Sequence, residues 1–261
     1  MAERNLQHHK TTTSHYHSNM SDVDMLSGFI LEKEKLTIPG LSELCVYSCI
    51  YNNDYYSKGL FAQLNITYPK HLRKAVSKRQ AEYLAGRHSA RLALRDVNVE
   101  DVNIATGPHR SPVWPQAVIG SITHTKHKAY AAVAHRTDFS YVGIDYEALI
   151  NASTAKSIHA NIADEHEMKL VMDAYGDFTL ALTLIFSAKE SLFKALYPHV
   201  GRYFDFSAAS MINLAKEETS FSLRLNYSLT KNLTKGCCFK GRLYQETGHV
   251  FTVIAGSFFD R

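Results

Sequence analysis

The chain has 261 residues, of which 45% are hydrophobic, so it is long enough to bury a core in one large domain or two smaller ones. Its formal net charge is +4, from 29 lysine and arginine against 25 aspartate and glutamate residues. That excess is too small for a dedicated nucleic-acid binder. The longest apolar run, at residues 179–186, is far too short to cross a bilayer, so no membrane span is expected.

The N-terminus and the cysteines predict a cytoplasmic protein. No charged segment leads into an apolar one at the N-terminus, as a secretion signal requires. Cys45, Cys49, Cys237 and Cys238 lack the paired CxxC spacing of a zinc site and are expected to be reduced thiols. Residues 1–24 are polar and rich in histidine. They are expected to be disordered, with metal binding by the histidines as the alternative.

Strand-like and helix-like patterns alternate along the first half of the chain. An apolar, β-favouring run at 44–51 is followed by a helical pattern over about 72–97. A turn-rich connector at 107–115 then leads to two strands, at 119–125 and 129–135. This half is therefore predicted to contain a strand, a long helix and then further strands.

The second half repeats this order. A strand at 141–147 is followed by helical stretches at about 153–175 and 178–197. Within the first stretch, Asp164 followed by Glu167 resembles a capping box that starts a helix at 165–174. Four more strands are predicted at 210–214, 220–227, 238–244 and 250–258. Because the two halves share an order of elements, we predict a pseudo-duplicated α+β architecture that divides near residue 140, with the site where the halves meet.

The helical segment of the first half carries a strong excess of positive charge, with Glu82 as the single acidic residue between Lys70 and Arg95. Its basic residues are Lys70, Arg73, Lys74, Lys78, Arg79, Arg87, Arg91 and Arg95. A solvated basic face is the usual explanation, but this imbalance favours an anion site, with phosphate as the ligand. A nucleic-acid-binding module is a rival interpretation, although RNA-binding signatures are absent.

Two carboxylates share one face of the strand at 141–147. Side chains alternate along a strand, so Asp145 and Glu147 lie side by side and repel each other unless a cation lies between them. Glu190, from the later helix, would complete a set of three hard oxygen ligands of the kind that Mg²⁺ accepts. The alternatives are a solvated edge strand for the first two and an i,i+4 ion pair with Lys194 for the third.

His124 lies at the end of a strand, just before Lys126 and Lys128. A lone histidine is usually structural, but next to a phosphate it could donate a hydrogen bond and form an anion pocket with Arg87. The chain has no GxxxxGK(S/T) loop, no GxGxxG and no GxSxG. The nucleotide-binding and serine-hydrolase sites built on those motifs are therefore not predicted.

Two sequence blocks, in this order and spacing, resemble the paired signature of the 4′-phosphopantetheinyl transferases. They are GIDYE at 143–147 and FSAKESLFK at 186–194. Three further blocks resemble the enterobactin synthetase component D branch of that family: KRQAEYLAGR at 78–87, RSPVWP at 110–115 and GSITHT at 120–125. The resemblance covers about residues 70–200.

The resemblance implies a fold of two similar α/β halves in one monomer, with coenzyme A in the cleft between them. Asp145, Glu147 and Glu190 match the family's magnesium ligands. Lys194 matches the lysine that contacts the pyrophosphate and can protonate the leaving group. The residues that match the holders of the 3′-phosphoadenosine end are Arg79, Arg87 and His124. Glu167 aligns with a glutamate near the site, although a helix cap explains it equally well.

The implied reaction moves the phosphopantetheine arm of coenzyme A onto a serine of an apo carrier protein. Residues 25–140 would form the 3′-phosphate side and residues 141–261 the metal and catalytic side. The implied partners are acyl, aryl or peptidyl carrier domains, with a synthetase complex as a further partner. The pathway would be siderophore synthesis of the enterobactin type, or related peptide, polyketide or fatty acid synthesis. A magnesium-dependent phosphatase on a small nucleotide would use the same carboxylates and stays an alternative.

Overall fold

The computed structural model describes residues 7–9, 28–99 and 103–258. The chain divides into two compact units, Met1–Thr137 and Asp138–Arg261. Each unit contains one five-stranded antiparallel sheet and at least one long helix. This mixture of helices and sheets confirms the predicted α+β class.

The first unit is built on a sheet that alternates in direction at every strand. Its strands are β1 (Gln7–His9), β2 (Ile30–Thr37), β3 (Cys45–Tyr51), β6 (Val118–His124) and β7 (Lys128–His135). Their order in the sheet is β1-β2-β3-β7-β6. The three strands expected in this half, β3, β6 and β7, are confirmed. Strand β2 was not predicted. The chain between β3 and β6 holds β4 (Ala105–Thr106), β5 (Pro112–Val113), α1 (Leu60–Gln63) and α2 (Ser77–Asp96).

Helix α2 covers this sheet with a face of small and apolar side chains. Ala81, Leu84, Ala85 and Ala90 are fully buried against the strands, as the helical spacing of alanine and leucine predicts. The helix begins five residues later than expected. Residues Lys70–Lys74 form a separate 3₁₀ turn, and extended backbone follows it before α2 starts.

Part of the segment expected to be disordered is in a strand. Strand β1 pairs antiparallel with β2, with Gln7 opposite Thr37. The backbone of an edge strand can pair with any extended segment, so polar side chains do not prevent this contact. The structure does not describe the rest of residues 1–24, nor the side chains of any histidine in that segment.

The second unit has a sheet of the order β8-β12-β11-β10-β9, in which the first and last strands are the edges. These strands are β8 (Tyr141–Ala148), β9 (Ala209–Ala215), β10 (Ser220–Leu225), β11 (Cys238–Glu246) and β12 (His249–Gly256). Its helices are α3 (Ala152–Ile162), α4 (Glu165–Tyr175) and α5 (Phe178–Val200). All five predicted strands are therefore present, each within two residues of its expected ends.

The helical stretch expected at 153–175 is two helices. Ala163 is extended, and Asp164 starts α4 as an N-cap whose side chain accepts a hydrogen bond from Glu167 N at 2.8 Å. Glu167 Oε2 accepts in turn from Asp164 N at 3.1 Å, which completes a capping box. The predicted cap is thus confirmed, and it ends the preceding helix.

Helix α5 lies very close to β8 and β12. A Cβ at Gly143 would overlap the Ser191 carbonyl oxygen, so only glycine permits this approach. The Thr252 hydroxyl of β12 is 2.9 Å from the Ser187 hydroxyl and 2.7 Å from the Ser191 hydroxyl, and all three side chains are buried. The helix is therefore held on the sheet by small residues and buried hydroxyl hydrogen bonds.

The ends of α5 follow standard capping chemistry. Asp177 accepts hydrogen bonds from Thr179 N and Leu180 N at the start, and Gly201 ends the helix in a left-handed conformation. Among the described residues, no single helix has both the length and the apolarity of a membrane span. Only α4 and α5 together, across a 120° bend, meet that test.

Candidate active site

Strand β8 directs two carboxylates toward α5. Asp145 lies opposite Thr252 in the sheet, and Thr252 bonds to serines of α5, so Asp145 is on the helix-covered face. Its exposure is 1%, whereas Glu147, near the end of the strand, is half-buried. The solvated-edge interpretation is therefore wrong for Asp145, because α5 covers this part of the edge strand.

Lys194 joins the helix to this strand. Its Nζ donates to Asp145 Oδ1 at 2.6 Å and to the Ile144 carbonyl oxygen at 3.2 Å. Within the described residues, it forms no ion pair with Glu190, so the i,i+4 pair considered from the sequence is not made. The ammonium is directed across to β8 and not along the helix.

The remaining two carboxylates are electrostatically coupled to this pair. Burial and the neighbouring charges of Asp145 and Glu190 together raise the pKa of Glu147 to about 7, against the opposing effect of Lys194. Burial also raises the pKa of Glu190, with Lys194 lowering it and Asp145 raising it. Asp145, Glu147, Glu190 and Lys194 therefore act as one set, which we name the carboxylate–lysine group.

The donor chemistry of the carboxylate–lysine group fits Mg²⁺. It offers hard oxygen ligands, and the repulsion between its carboxylates is relieved by a divalent cation. Over the described part of the chain, however, no three His, Cys, Asp or Glu side chains form a ready-made metal site. The group has the ligand types for magnesium without a preassembled three-ligand geometry.

The first unit brings together the basic residues singled out from the sequence. Arg79 Nη1 is 2.7 Å from His124 Nε2 and 3.2 Å from Glu82 Oε2. A guanidinium only donates, so Nε2 of His124 accepts and its proton lies on Nδ1, which is 3.9 Å from Glu82. Arg79 and His124 are thus positioned by one another and by a shared carboxylate.

Arg87 is buried beside these residues. Its Nε donates to the Ile104 carbonyl oxygen at 3.2 Å, and its guanidinium carbon lies 4.6 Å from the centre of the Tyr83 ring. The Arg87 side chain is therefore fixed in direction before any ligand binds.

Two further basic residues belong here that the sequence interpretation did not assign. The pKa of His71 is lowered by partial desolvation and by the charges of Arg110, Arg87 and Arg79, so each of these arginines lies within electrostatic range of His71. We name His71, Arg79, Arg87, Arg110 and His124 the basic group. The motif at 110–115 was the available signal for Arg110, whereas nothing in the sequence distinguished His71.

The loop that carries Arg110 is strained. His109 and Arg110 have φ values of 52° and 67°, which side chains other than glycine rarely adopt. Strain of this kind persists only where surrounding structure enforces it and is common at ligand sites.

Other members of the basic run serve the fold. Arg91 is buried, and its Nη1 donates to the Asn65 carbonyl oxygen at 2.5 Å. Lys78 lies 4.0 Å from Glu82. Lys70, Arg73, Lys74 and Arg95 are exposed. The run is therefore divided among structural contacts, the basic group and solvated side chains, which is unlike the continuous exposed stripe of a nucleic-acid surface.

Glu167, which aligns with a family glutamate, has structural partners. Besides its capping role, it receives the Lys189 ammonium at 2.9 Å and the Met211 backbone N–H at 2.7 Å. Glu167 and Lys189 are both buried. The helix-cap interpretation of Glu167 is confirmed, and Lys189 is its buried partner.

Two known sequence families match this chain, one in each unit. The 4′-phosphopantetheinyl transferase N-terminal domain matches residues 68–134. The 4′-phosphopantetheinyl transferase superfamily matches residues 141–251. Together these matches cover more than half of the chain and include every residue of the basic group and of the carboxylate–lysine group.

Individual relatives give the same result. Enterobactin synthase component D of Salmonella typhimurium is 37% identical over 159 residues, 61% of this chain and 65% of that protein. The protein of the same name from Escherichia coli O157:H7 is 44% identical over 48% of this chain and 58% of its own length. The 4′-phosphopantetheinyl transferase Npt of Nocardia iowensis is 35% identical over 52% of this chain and 60% of its own.

The chain thus matches less than two thirds of the length of each of these relatives. The matched families nevertheless extend through both units. The chain therefore belongs to the 4′-phosphopantetheinyl transferase superfamily, in which its sequence is similar to the enterobactin synthase component D branch.

Proposed function

We propose that this protein transfers the 4′-phosphopantetheine arm of coenzyme A to a serine of an apo carrier protein. The observation that carries the proposal is the carboxylate–lysine group, assembled from β8 and α5 within the region matched by the superfamily. Buried carboxylates beside a lysine ammonium suit phosphoryl transfer, which depends mainly on positioning and on charge neutralisation.

In this reaction the serine oxygen forms a bond to the phosphorus that bears the pantetheine. The bond from that phosphorus to the bridging oxygen breaks, and adenosine 3′,5′-bisphosphate leaves. Glu190 is the proposed acceptor of the serine proton, with a water held at the metal site as the alternative. Lys194 donates to the oxygen that leaves and offsets its negative charge.

We propose Asp145, Glu147 and Glu190 as the side chains that hold Mg²⁺. When bound there, the ion neutralises charge on the pyrophosphate oxygens. Asp145 also keeps Lys194 directed toward the pyrophosphate through their 2.6 Å contact.

We propose that the basic group binds the 3′-phosphate of coenzyme A. Arg79 and Arg87 supply charge-assisted hydrogen bonds, and His124 orients Arg79. Arg110 adds a fourth positive or hydrogen-bonding side chain from its strained loop. That one coenzyme A molecule uses both groups remains a prediction from the family resemblance.

The proposed partners are acyl, aryl or peptidyl carrier domains in siderophore or related synthesis, with a synthetase complex as a further partner. The names of the relatives from Salmonella and Escherichia support the siderophore assignment. We also propose that the protein acts as a monomer, as the resemblance implies, and in the cytoplasm, where its free cysteines would stay reduced.

The test is incubation with coenzyme A, Mg²⁺ and a panel of apo carrier proteins, followed by intact-mass measurement. A carrier that gains one phosphopantetheine group, and does not gain it when EDTA is present, supports the proposal. Hydrolysis of coenzyme A without modification of any carrier would contradict it and favour a phosphatase.

A further inference from the structure

A buried ion pair in the second unit lies outside the carboxylate–lysine group but next to it in sequence. The side chains of Lys189 and Glu167 are 5% and 1% exposed, and Lys189 Nζ is 2.9 Å from Glu167 Oε2. The same ammonium donates to the carbonyl oxygens of Ile162 at 2.7 Å and Phe206 at 3.1 Å. Three acceptors therefore use all three donors of the lysine.

Lys189 on α5 and its partner Glu167 together link five parts of the unit. Ile162 is the last residue of α3, Phe206 starts the 3₁₀ turn that precedes β9, and Glu167 lies in the first turn of α4. Glu167 Oε1 also accepts the Met211 N–H of β9 at 2.7 Å. Any rotation or sliding of α5 would pull Lys189 away from acceptors that belong to other elements.

Helix α5 is restrained on its sheet-facing side as well. There, Ser187 and Ser191 bond to Thr252, and Gly143 leaves no room for displacement toward the sheet. Glu190 directly follows Lys189, and Lys194 is one turn further along. The contacts on both sides therefore set the direction in which these two residues project.

We propose that the Glu167–Lys189 pair, which we name the helix anchor, is a positioning pair for the reaction. It orients α5 so that Glu190 and Lys194 face Asp145, and it touches neither metal nor substrate. The inference rests on the proposed function. An apolar pair of similar volume would fill the same space, but it would lack the directional bonds to three acceptors that fix one orientation. A displacement of about 1 Å at a reacting group can lower a rate by roughly a hundredfold.

The test uses Lys189→Met and a matched control. The control is Lys169→Met. It removes the lysine of an exposed i,i+4 pair on α4, in which Lys169 Nζ is 2.7 Å from Asp173. Each folded variant is titrated with Mn²⁺ in the presence of coenzyme A by electron paramagnetic resonance, well below its unfolding midpoint. We expect Lys189→Met to bind Mn²⁺ at least tenfold more weakly than wild type and to lower kcat, and Lys169→Met to stay within twofold.

A second variant separates positioning from stability. Glu167→Gln combined with Lys189→Met removes both buried charges but does not restore the bonds to Ile162 and Phe206. We expect its unfolding midpoint to recover toward wild type, while Mn²⁺ affinity and kcat stay low. A folded double variant with wild-type Mn²⁺ affinity and transfer would overturn the inference. A double variant that does not fold would also overturn it, because the pair would then be required only for folding.

The two proposals fail in different ways. If the wild-type protein neither binds Mn²⁺ nor modifies any carrier, the proposed function is wrong. If the wild type does both and the anchor variants match it, only the positioning role is wrong.

Discussion

Asp145 combines near-complete burial with a charge, and its carboxylate accepts a hydrogen bond from the Lys194 ammonium at 2.6 Å. Asp145→Asn keeps the shape of the side chain and removes its charge. We expect transfer to a carrier to fall by at least about a hundredfold, because both the metal ligand and the partner of Lys194 are lost. Lys194 is 27% exposed and can turn toward water, so the free energy of unfolding should fall by only about 1–2 kcal/mol.

Intact-mass rates and urea unfolding measure these two effects. The control is Asp173→Asn, whose carboxylate is 65% exposed. Near-wild-type transfer by Asp145→Asn would show that Asp145 is not part of the active site.

Lys194 is proposed to offset the charge of the leaving group. This role predicts that loss of Lys194 lowers the rate of transfer more than it weakens the binding of coenzyme A. Lys194→Met retains the aliphatic stem and removes only the ammonium, which bonds to Asp145 and to the Ile144 carbonyl oxygen. We expect kcat to fall by about a hundredfold and the Kd of coenzyme A to change by less than about threefold. Stopped-flow transfer and calorimetric binding give the two constants. A defect confined to binding would contradict the leaving-group role.

His88 of α2 gives a prediction on pH and stability. Burial, together with the charges of Lys33, Arg95 and Arg91, lowers its pKa from 6.5 to about 3. Among the described residues its Nε2 has no hydrogen-bond partner. The folded state therefore binds fewer protons than the unfolded state between these values. Stability is complete above pH 6.5 and is lost progressively as the pH falls toward 3.

From pH 7 to pH 5 this histidine should lower the free energy of unfolding by about 2 kcal/mol. His88→Leu removes the titrating ring at a buried position without leaving a bonded partner behind. We expect the variant to lose correspondingly less stability over that range, as measured by urea unfolding at both pH values. Equal losses in both proteins would show that His88 takes up its proton as readily in the folded state as in the unfolded state.

At the scale of elements, α5 organises the second unit. Its close approach to β8 depends on Gly143, since a Cβ there would meet backbone atoms of Ser191 and Ala195. Backbone atoms of a helix cannot move individually, so Gly143→Ala should displace α5 as a whole. We expect a loss of about 1–3 kcal/mol in the free energy of unfolding and a clear loss of transfer, since Glu190 and Lys194 move with the helix.

The control for this variant is Gly59→Ala. A Cβ at Gly59 would meet only the Ser57 hydroxyl, at 3.7 Å, and its backbone is already in the right-handed helical region. It should be neutral or slightly stabilising. If Gly143→Ala unfolds at the wild-type urea concentration and stays active, the helix is not seated as described.

Local patterns predicted most elements, and tertiary contacts decided the rest. The alternation in β8 and the alanine–leucine spacing in α2 were sufficient, because each is a repeated property of many residues. Sequence patterns did not predict the 3₁₀ turn at Lys70–Lys74, and they missed β2, whose exposed polar residues alternate weakly. The break before α4 was recognisable within the helical stretch at 153–175, because the Asp164–Glu167 capping box indicated a helix start at Glu165.

The sequence indicated which residues could form the candidate site, but not which of them contact one another. Spacing placed Asp145 and Glu147 on one face, and Glu190 and Lys194 on one helix. It could not show that Lys194 bonds to Asp145, because that contact joins residues 49 positions apart. The same limit applies to His71, which reaches the basic group only through the path of the chain between β3 and α2.

On the scale of the whole molecule, the two units carry complementary chemistry, with the basic group in one and the carboxylate–lysine group in the other. If one coenzyme A molecule binds to both groups, removal of its 3′-phosphate should abolish only its contacts with the basic group. Each charge-assisted hydrogen bond contributes about 1.5–3 kcal/mol, so kcat/KM should favour coenzyme A over 3′-dephospho-coenzyme A by roughly 10- to 100-fold.

Arg79→Met tests this division directly. The side chain is 38% exposed and bonds to His124 and Glu82, so its loss should leave the second unit and its chemistry unchanged. We expect the variant to lose the preference for coenzyme A, because its kcat/KM falls with coenzyme A but not with the dephospho substrate. Arg95→Met, in the last turn of the same helix, should keep the wild-type preference. An equal loss with both substrates would mean that Arg79 supports the fold and not the 3′-phosphate, and the basic group would then have no role in choosing the substrate.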